Sequence, residues 1–520
     1  MKIPSTLRNV FTVGGFTALS RVLGLVREML QARLIGAGVE QSAFVLAFAL
    51  PNMARKLFGE GALTAAFVPI FKGEVERGEI ESARRLARAV MTLLLLILGA
   101  CSLLAVVGIS AALGWDATAG QFSGRTRLIL RLVRILFPYM FFICGAAFGM
   151  GVLNALGRFA ASAFMPALLN VVWISALGGL CFFPGLDAVT RVSAVCWAIL
   201  LGGALQMAFL FLCMARRGFA PRLSFSGWRS EKARLVWHNT FVAALGAGAV
   251  QINYLLDQVL AQCAAPWAAG VIGFAERLMD LPIGVVGVAF GTVLLPTFAG
   301  HFAKGDGRAA NQVFADAIRN LMFVLLPAAV GMCLLSREIT AVIYEGRAFD
   351  TLATSRVARA LAVYALGLGF FGYQKAIIPW FQAQGDMRTP LRVTVTTVVL
   401  NAVLNVLAVA LLPEEFRHVG LAVSTVFCSL VGCVILTIYA KCTHRADFHC
   451  LVGLMAVGRS LVPIALATVG LALVIVFLCA NLPKTGFFAA RSLGGLALLI
   501  GVGFGVYLLL MVGLRKFQRS

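Results

Sequence analysis

The stretch Ser20–Pro69 places charged side chains inside two apolar segments, where a helix in lipid should carry none. Arg21 and Arg27 interrupt the first segment, and Arg55 and Lys56 interrupt the second. Each Arg or Lys at the centre of a membrane helix costs about 2.5–3.5 kcal/mol against lipid. Four of them facing hydrocarbon would cost about 10 kcal/mol, which is comparable to the stability of a whole protein. We therefore expect these side chains to face a solvated cavity, beside an anion or an acidic partner.

Basic residues outnumber acidic residues inside the apolar spans by nine to five. Arg27 can pair with the adjacent Glu28, and Arg277 can pair with an acidic neighbour on its own span. Pairing every acid still leaves four positive charges, which favours an anionic ligand. A guanidinium group is planar and always charged, and it suits phosphate in particular. The candidate substrate-binding residues are Arg21, Arg27, Arg55, Lys56, Glu60 and Arg277.

Helix-breaking residues accompany these charges. Gly24 lies between the two arginines of the first span, Pro51 precedes Arg55, and Gly59 and Gly61 flank the acid of the second span. Proline and glycine bend or unwind a membrane helix, and free backbone groups are tolerated there only beside a cavity. Small residues also allow close helix packing. Next to the charges, we expect hinges.

The composition is that of a membrane protein. The chain has 520 residues, of which 60% are hydrophobic and 13% charged, and its mean hydropathy is +0.92. This balance indicates a polytopic helical membrane protein and excludes a soluble one. The net charge of +22 lies mostly between the apolar spans, as the positive-inside rule and anionic lipid require, and does not indicate nucleic-acid binding. The twelve cysteines are scattered, without metal-ligand spacing, and we interpret them as small apolar residues.

Fourteen apolar runs are long enough to span a membrane. An even number puts both termini on one side. With the N-terminus cytoplasmic, the inner loops and termini collect about 25 Lys and Arg and the outer loops about 10. Residues 72–88 and 216–234 contribute most of this excess, so both termini are predicted to be cytoplasmic. The N-terminal run shows no convincing cleavage site and is interpreted as a retained first span.

The chain also repeats itself over about 225 residues. The segment Arg131–Tyr139 returns as Arg356–Tyr364, with the shared pattern Arg-x-x-Arg-x-Leu-x-x-Tyr. Six spans per repeat keep both copies in one orientation, which predicts two parallel-related six-helix lobes around a central cavity. The predicted ranges are 1–215 for the N-lobe, 216–234 for a basic cytoplasmic linker and 235–441 for the C-lobe. Residues 442–520 hold two extra C-terminal helices, which either face lipid or form a groove for a lipid tail.

Enzyme chemistry is not indicated. A membrane glycosyltransferase or phosphatase needs carboxylates or a histidine cluster for acid–base or metal chemistry. The predicted outer loops offer only scattered acids, such as Asp350 and Glu414, and one histidine, His418. The pattern Gly-x-Ser-x-Gly and a nucleotide-binding loop are both missing from the sequence. A transporter is therefore favoured over a catalyst.

A second group of polar residues suggests a cation site. Asp257 is a carboxylate in the seventh span, and its options are protonation, a hydrogen-bonding partner or a bound cation. Asn401 and Asn405 are spaced i and i+4 on one helical face of the eleventh span. With Thr425 of the twelfth span, these oxygens would suit a hard cation such as sodium. The alternative is that Asp257 hydrogen-bonds within its lobe, or pairs with an arginine, and helps to pack the helices.

Four segments resemble the MurJ (MviN) family of lipid II flippases, which belongs to the superfamily of multidrug and polysaccharide exporters. They are SRVLGLVRE, ALPNMARKLFGEGALTAAFVP, FPYMFFICGAAFGMGVLNALGRFAASAFMPALLN and FAERLMDLPIGVVGVAFGTVLLP. The resemblance implies fourteen helices, two lobes, and a central cationic cavity that opens alternately to cytoplasm and periplasm. It also implies a place in the bacterial cytoplasmic membrane, and a cargo that is the undecaprenyl-diphosphate-linked peptidoglycan precursor.

The same resemblance implies roles for particular residues. The functional arginines of the family fall on Arg21, Arg27, Arg55 and Arg277. Lys56 stands where relatives often have a second arginine, and it keeps the charge without the planar fork. An acidic residue that some relatives carry is Ser42 in this chain, with Glu40 as the nearest carboxylate. Some relatives are thought to hold sodium in the second lobe, in the region of Asn401.

These observations lead to one function and two alternatives. The favoured function is a monomeric flippase that holds the diphosphate of lipid II on its arginines and needs no cofactor other than an optional sodium ion. Contact with the cell-wall synthesis machinery is an open expectation. The first alternative is an exporter of another polyprenyl-linked glycan or of a drug. The second is a scaffold or lipid-synthesis enzyme, in which the cavity charges would have no purpose.

Overall fold

Long apolar runs fold as helices in this chain, because a helix satisfies its backbone hydrogen bonds within its own segment. The computed structural model of the protein describes residues 5–59, 61–224, 227, 230–291, 293–443, 450–483, 489 and 491–517. The helices are α1 Ser5–Ile35, α2 Val39–Ala54, α3 Ala62–Glu76, α4 Ile80–Ala119, α5 Gly124–Leu136, α6 Tyr139–Ala155, α7 Phe159–Leu180, α8 Ala188–Ala215, α9 Glu231–Ala264, α10 Ala268–Gly291, α11 Leu294–Ala303, α12 Gly307–Leu334, α13 Ser336–Tyr344, α14 Thr351–Ala383, α15 Arg388–Leu411, α16 Glu414–Thr443, α17 Cys450–Asn481 and α18 Leu493–Phe517.

Ten helical segments in the described residues are long and apolar enough to cross a membrane. They are α4, α5 with α6, α7, α8, α12, α14, α15, α16, α17 and α18. The other predicted spans coincide with α1, with α2 and α3, with α9 and with α10, and these helices carry the candidate charged residues. The all-α polytopic membrane fold is confirmed, and the total of fourteen spans stays a prediction.

The first of two compact units comprises Met1–Gln262 together with Gly346–Phe349. In it α1 packs along α7, α7 and α6 pack against α8, and α2 packs against α5. The turn after α1 requires glycine at position 36, where φ is +81° and a side chain would collide with the carbonyl of Ala348. This turn also fixes residues 346–349 to the first unit, since Ala348 N donates to Arg33 O at 3.0 Å.

The second compact unit comprises Cys263–Glu345 and Asp350–Ser520. Its central helix is α14, which packs against α10, α12 and α16. The core between these helices buries Phe298, Trp380 and Phe381 completely. The predicted lobes and their repeat stay predictions.

The C-terminal helices α17 and α18 pack as a pair on α12 within the second unit. The hydroxyl group of Tyr507 donates to the carbonyl of Phe323 at 2.8 Å and ties α18 to α12. The opposite face of α17 exposes apolar side chains at helical spacing, which suits a surface in contact with lipid. These exposed residues are Val462, Leu466, Val469, Leu473, Val476 and Phe477. A groove for a lipid tail on this pair stays a prediction.

Candidate functional site

Arg27 of α1 is held by three neighbours at once. Its Nη1 donates to Asn170 Oδ1 at 2.9 Å, and its Nη2 donates to Glu28 Oε1 at 2.5 Å. The guanidinium carbon lies 4.4 Å from the ring centroid of Trp173, a cation–π distance. The Arg27 and Glu28 side chains are each only 14% exposed. The pairing of Arg27 with its sequence neighbour, one of the two outcomes that the sequence allowed, therefore occurs.

One donor of this guanidinium group is left over. Arg27 Nε is buried and has no hydrogen-bond partner among the described residues. A buried N–H without an acceptor costs about 1–3 kcal/mol. An acceptor oxygen from a ligand would recover that cost, because the donor is already desolvated and fixed in direction.

Asn170 of α7 orients Arg27 and joins α7 to α1. Its amide nitrogen donates to the carbonyl of Ser20 at 3.0 Å, while its amide oxygen accepts from Arg27. Asn170 and Trp173 are three residues apart on α7 and so lie on one face of that helix. The amide and the ring thus reach the same guanidinium group from one helix.

The ring of Trp173 is itself fixed by two phenylalanines of α2. Its centroid lies 5.8 Å from that of Phe44 and 5.9 Å from that of Phe48, both in edge-on arrangements. Edge-to-face ring pairs of this kind contribute about 0.5–1.5 kcal/mol beyond their burial. Arg27 therefore rests on an aromatic platform built from α2 and α7.

Arg55 and Lys56 begin a five-residue π-helical segment, Arg55–Gly59, between α2 and α3. Pro51 lies inside α2 one turn earlier, and single π-helical turns of this kind are frequent at functional sites. A Cβ at Gly61 would lie 2.8 Å from the carbonyl of Lys56, so the chain can pass there only as glycine. The break predicted in this span is confirmed, whereas Gly24 lies inside the continuous helix α1.

The two basic side chains of this segment have different surroundings. Arg55 is half-buried, and its Nε and Nη2 donate to Asn52 Oδ1 at 3.1 and 3.0 Å. The ammonium group of Lys56 lies 5.1 Å from the ring centroid of Tyr254 on α9. Both residues are on an irregular helix in the same compact unit as Arg27.

Two of the remaining substrate candidates belong to different compact units. Arg21 is exposed on α1, and Arg277 is exposed on α10 in the second unit. Next to Arg277, Glu276 accepts a hydrogen bond of 3.5 Å from the Tyr364 hydroxyl group. Glu60 lies outside the described residues. The convergence of Arg277 with the arginines of the first unit stays a prediction.

The cation candidates also divide between the units. In the first unit, Asp257 Oδ2 accepts from Asn253 Nδ2 at 3.2 Å, one helical turn away. In the second unit, Asn405 Nδ2 donates to Asn401 Oδ1 at 3.1 Å, and both side chains are buried. The hydroxyl group of Thr425 donates to the carbonyl of Leu421 at 3.1 Å. The two asparagines are therefore together as their spacing predicted, and Asp257 and Asn401 each have an oxygen that already accepts a hydrogen bond.

Ser42, where some relatives carry an acid, is fully buried. Its carbonyl accepts a hydrogen bond of 2.6 Å from Gln262 Nε2, and Gln262 in turn binds the side chain of Arg125. Glu40, the nearest carboxylate, is half-buried at the start of α2. The position of Ser42 is thus used for packing and backbone hydrogen bonding in the first unit.

Asn170 and Trp173 complete the surroundings of Arg27, and neither was predicted from the sequence to be a site residue. In the sequence, Asn170 stood out only as the last residue of the family-like segment that begins at Phe137. A polar amide inside an apolar span is itself a signal, because interhelical hydrogen bonds are where such residues are usually used.

The sequence of this chain is similar to those of a known protein family. A family model described as "Lipid II flippase MurJ" matches residues 31–493. A "Probable lipid II flippase MurJ" of Rhizobium tropici is 35% identical over 420 residues, which are 80% of this chain and 78% of that protein. The "Lipid II flippase MurJ" of Burkholderia cenocepacia is 30% identical over 421 residues, 80% of either chain.

Solved structures show the same fold. A lipid II flippase MurJ in an inward closed conformation superposes with a TM-score of 0.76 at 20% identity, covering 98% of this chain and 99% of that one. An inward-facing multidrug resistance transporter of the MATE family, in the MOP superfamily, has a TM-score of 0.68 at 15% identity. It covers 82% of this chain and 95% of that one.

Proposed function

The chain belongs to the family of lipid II flippases called MurJ, a family of transporters rather than enzymes, and from this premise we propose how it moves its cargo. The cargo is lipid II, the undecaprenyl-diphosphate-linked precursor of peptidoglycan. Its charged headgroup cannot cross about 30 Å of hydrocarbon unaided. The protein carries it from the inner to the outer leaflet by alternating access, and the diphosphate is held by arginines.

The observation that supports this proposal is the state of Arg27. Its guanidinium group is oriented by Asn170 and Trp173, and it keeps one buried donor, Nε, without a partner among the described residues. Phosphate oxygens are strong acceptors that guanidinium groups bind with charge-assisted hydrogen bonds. Arg27 is therefore a candidate substrate residue with a buried donor directed for a phosphate oxygen.

Glu28 gives this site a way to release its cargo. The carboxylate of Glu28 neutralises Arg27 when no cargo is present. A diphosphate that arrives competes with it for the same guanidinium group, and the carboxylate can take the arginine back when the headgroup leaves. Arg27 has a counter-anion before and after this exchange, so its own buried charge is never left unpaired, which would be strongly destabilising.

Arg55, Lys56 and Arg21 supply further positive charge in the same unit. Arg277, a residue of the second unit, is the fourth arginine that binds the cargo in this proposal. Glu60 tunes the charge of the cluster. The arrangement of Arg55 and Lys56 on a π-helical segment lets them change direction when the segment rewinds. The lipid tail stays in the membrane beside α17 and α18.

The topology completes the proposal. The chain is a multi-pass membrane protein. We place it in the bacterial cytoplasmic membrane with both termini in the cytoplasm, because the basic residues concentrate in the segments that this orientation puts inside. It acts as a monomer, in contact with the cell-wall synthesis machinery that consumes its product. A sodium ion held by Asp257, Asn401, Asn405 and Thr425 supplies coupling to an ion gradient.

A translocation assay in proteoliposomes tests the function. Arg27→Ala and Arg55→Ala should each lower the rate of lipid II transport at least about 10-fold, since hydrogen bonds to charged groups contribute about 1.5–3 kcal/mol. Arg392→Ala is the matched control, because Arg392 is exposed on α15 and belongs to no candidate site. It should transport at the wild-type rate.

Two results would contradict the proposal. Wild-type transport by both Arg27→Ala and Arg55→Ala would remove the arginines as diphosphate ligands. Equal transport of a polyprenyl-linked glycan with unrelated sugars would favour the alternative exporter. Equal amounts of each variant in the vesicles, measured on blots, establish that rate differences do not reflect insertion.

A further inference from the structure

A small cavity lies between α4 and the segment that follows α8, away from Arg27. Two hydrogen bonds hold this segment against α4. Arg84 Nε donates to the carbonyl of Gly218 at 2.8 Å, and the backbone N–H of Ser224 donates to the hydroxyl oxygen of Thr92 at 2.9 Å. The cavity lies between these two attachment points, and its lining includes Arg84, Arg88, Met91, Met214, Phe219 and Ala220.

Arg88 lines this cavity and has an unused donor. Its Nε is buried and has no hydrogen-bond partner among the described residues. Arg84 adds a second guanidinium group, whose Nη1 approaches Glu81 at 3.3 Å on the exposed side. The cavity lining itself contains no carboxylate. Arg84 is thus paired with a carboxylate, whereas Arg88 has no ion pair among the described residues, and a guanidinium group of this kind favours phosphate.

The other walls are apolar. Met91 and Met214 are buried side chains of the two membrane helices, and Phe219 closes the cavity beside the Arg84 guanidinium group at 5.9 Å. A free phosphate ion gains nothing from methionine and phenylalanine. A phosphate ester with an apolar body gains from both kinds of wall, because its charged head meets arginine while its chain removes apolar surface from water.

The size of the cavity limits how much of a ligand can enter. The volume that the centre of a water molecule can occupy is about 10 Å³, which is room for about one water-sized group. One phosphate oxygen fits beside Arg88, and the remainder of a headgroup must lie at the mouth. The cavity lies at the start of α4 and the end of α8, which the predicted topology puts at the cytoplasmic ends of both helices.

The surroundings indicate which membrane surface supplies the ligand. The lining of the cavity includes residues from both 72–88 and 216–234. These two segments contribute most of the excess of basic residues that is predicted on the cytoplasmic side. Exposed arginines surround it, namely Arg85, Arg216, Arg217 and Arg222. Basic clusters at this level attract anionic lipids of the cytoplasmic leaflet.

We propose that this cavity binds the phosphate group of an anionic glycerophospholipid from the inner leaflet, with one phosphate oxygen accepting from Arg88. The lipid then stabilises the attachment of the segment after α8 to α4. This site is separate from the residues assigned to lipid II, and the proposal does not depend on what the protein transports.

The test measures lipid binding to the purified full-length protein by native mass spectrometry. Dioctanoyl phosphatidylglycerol is titrated against the wild type, Arg88→Gln and Arg392→Gln, and dioctanoyl phosphatidylcholine is the lipid control. Arg88→Gln should bind phosphatidylglycerol about five-fold more weakly, the effect expected for one basic residue near an anionic lipid. Arg392→Gln should bind like the wild type, because Arg392 is exposed on α15 and belongs to neither of the two basic segments around the cavity.

A second variant tests the cavity independently, so that the test does not depend on correct folding of Arg88→Gln. Ala220→Glu leaves Arg88 in place and adds a carboxylate to the cavity lining, so it should weaken phosphatidylglycerol binding to a similar extent. Thermal midpoints in lipid-free detergent identify any variant that fails to fold. Glycerol 3-phosphate is the soluble probe, and it should compete only at much higher concentration than the lipid.

Two outcomes overturn the proposal. Wild-type affinity of both Arg88→Gln and Ala220→Glu for phosphatidylglycerol would show that the lipid binds elsewhere. Competition by glycerol 3-phosphate at the same concentration as the lipid would assign the cavity to soluble phosphate esters.

Discussion

The surroundings of Arg27 show how a charge is kept ready inside a membrane protein. An arginine in an apolar span needs partners, and this one has a carboxylate, an amide and an aromatic ring. Each partner has a different effect on the guanidinium group. Glu28 neutralises the charge, Asn170 fixes the plane of the guanidinium group, and Trp173 covers one face of it. The Nε nitrogen remains buried without a hydrogen-bond partner among the described residues, and its N–H suits an oxygen of an anionic ligand.

The variant Asn170→Leu should disturb the orientation of the Arg27 guanidinium group without changing its charge. The substitution removes the acceptor for Arg27 Nη1 and the bond to Ser20, while Glu28 and Trp173 remain. A hydrogen bond to a charged group contributes about 1.5–3 kcal/mol, so we expect lipid II transport to fall about 10-fold or more. The rate of translocation in proteoliposomes is the measurement.

Gln206→Leu is the matched control for this variant. Gln206 is also a buried amide that bonds to α7, through the carbonyl of Met165 at 2.7 Å, and it does not contact Arg27. Both variants should lose thermal stability, and only Asn170→Leu should lose transport selectively. Equal transport by the two variants would mean that Asn170 acts through packing alone.

At the scale of elements, the end of α3, the start of α4 and the start of α9 are held by one carboxylate. Glu74 is only 2% exposed, and it accepts from Lys232 Nζ at 2.7 Å and lies 3.5 Å from Arg77 Nη1. The hydrogen bond from Lys232 is the main reason that the pKa of Glu74 lies below its ordinary value of 4.5, followed by the hydroxyl group of Ser82. The connection joins elements 158 residues apart.

Glu74→Gln should lower stability in a pH-dependent way. A depressed carboxyl pKa contributes stability that is present above the ordinary pKa of 4.5 and is lost as the pH falls through the folded-state value. The wild type should therefore have a higher thermal midpoint than Glu74→Gln at pH 7, by an amount worth about 1–3 kcal/mol. The difference should shrink below pH 4.5 in a midpoint series across pH.

Glu79→Gln is the comparison for this series, because Glu79 is half exposed and lies 3.8 Å from the same lysine. Exposed ion pairs contribute about 0–1 kcal/mol, so its midpoint should follow that of the wild type across pH. A constant offset between wild type and Glu74→Gln down to pH 3.5 would contradict the assignment to the Glu74 carboxylate.

For the whole molecule, the sodium proposal predicts that folding stability depends on the cation in solution. Asp257 belongs to the first unit, and Asn401, Asn405 and Thr425 belong to the second. A carboxylate, two amides and a hydroxyl group together offer oxygens that suit a hard cation. An ion bound by such residues would stabilise the folded protein in proportion to its occupancy.

Sodium should raise the thermal midpoint of the wild type above its value in equimolar potassium, and Asp257→Asn should abolish this difference. A gain of about 2.7 kcal/mol is expected at a sodium concentration 100 times the dissociation constant. Asp316→Asn, at an exposed carboxylate that pairs with Arg319, should keep the full sodium effect. If the wild type is equally stable in both salts, the ion site has no support.

The class of the protein and the elements that matter most are already determined by the sequence. Hydropathy and helix length depend on consecutive residues, so they predicted a helical membrane protein and identified the spans that charge interrupts. Short-range partners follow from the same local geometry, as with Arg27 beside Glu28 and Asn401 one turn from Asn405. The break between α2 and α3 follows from Gly59 and Gly61 for the same reason.

Only the tertiary structure decided which distant residues complete these sites. Asn170 lies 143 residues from Arg27, and Gly218 lies 134 residues from Arg84. The pattern within a span cannot specify such partners, because they depend on which face of which helix packs against it. In an apolar span nearly every face is compatible with burial, so composition leaves the packing open. The few polar groups that must find acceptors inside the membrane then select one arrangement among many.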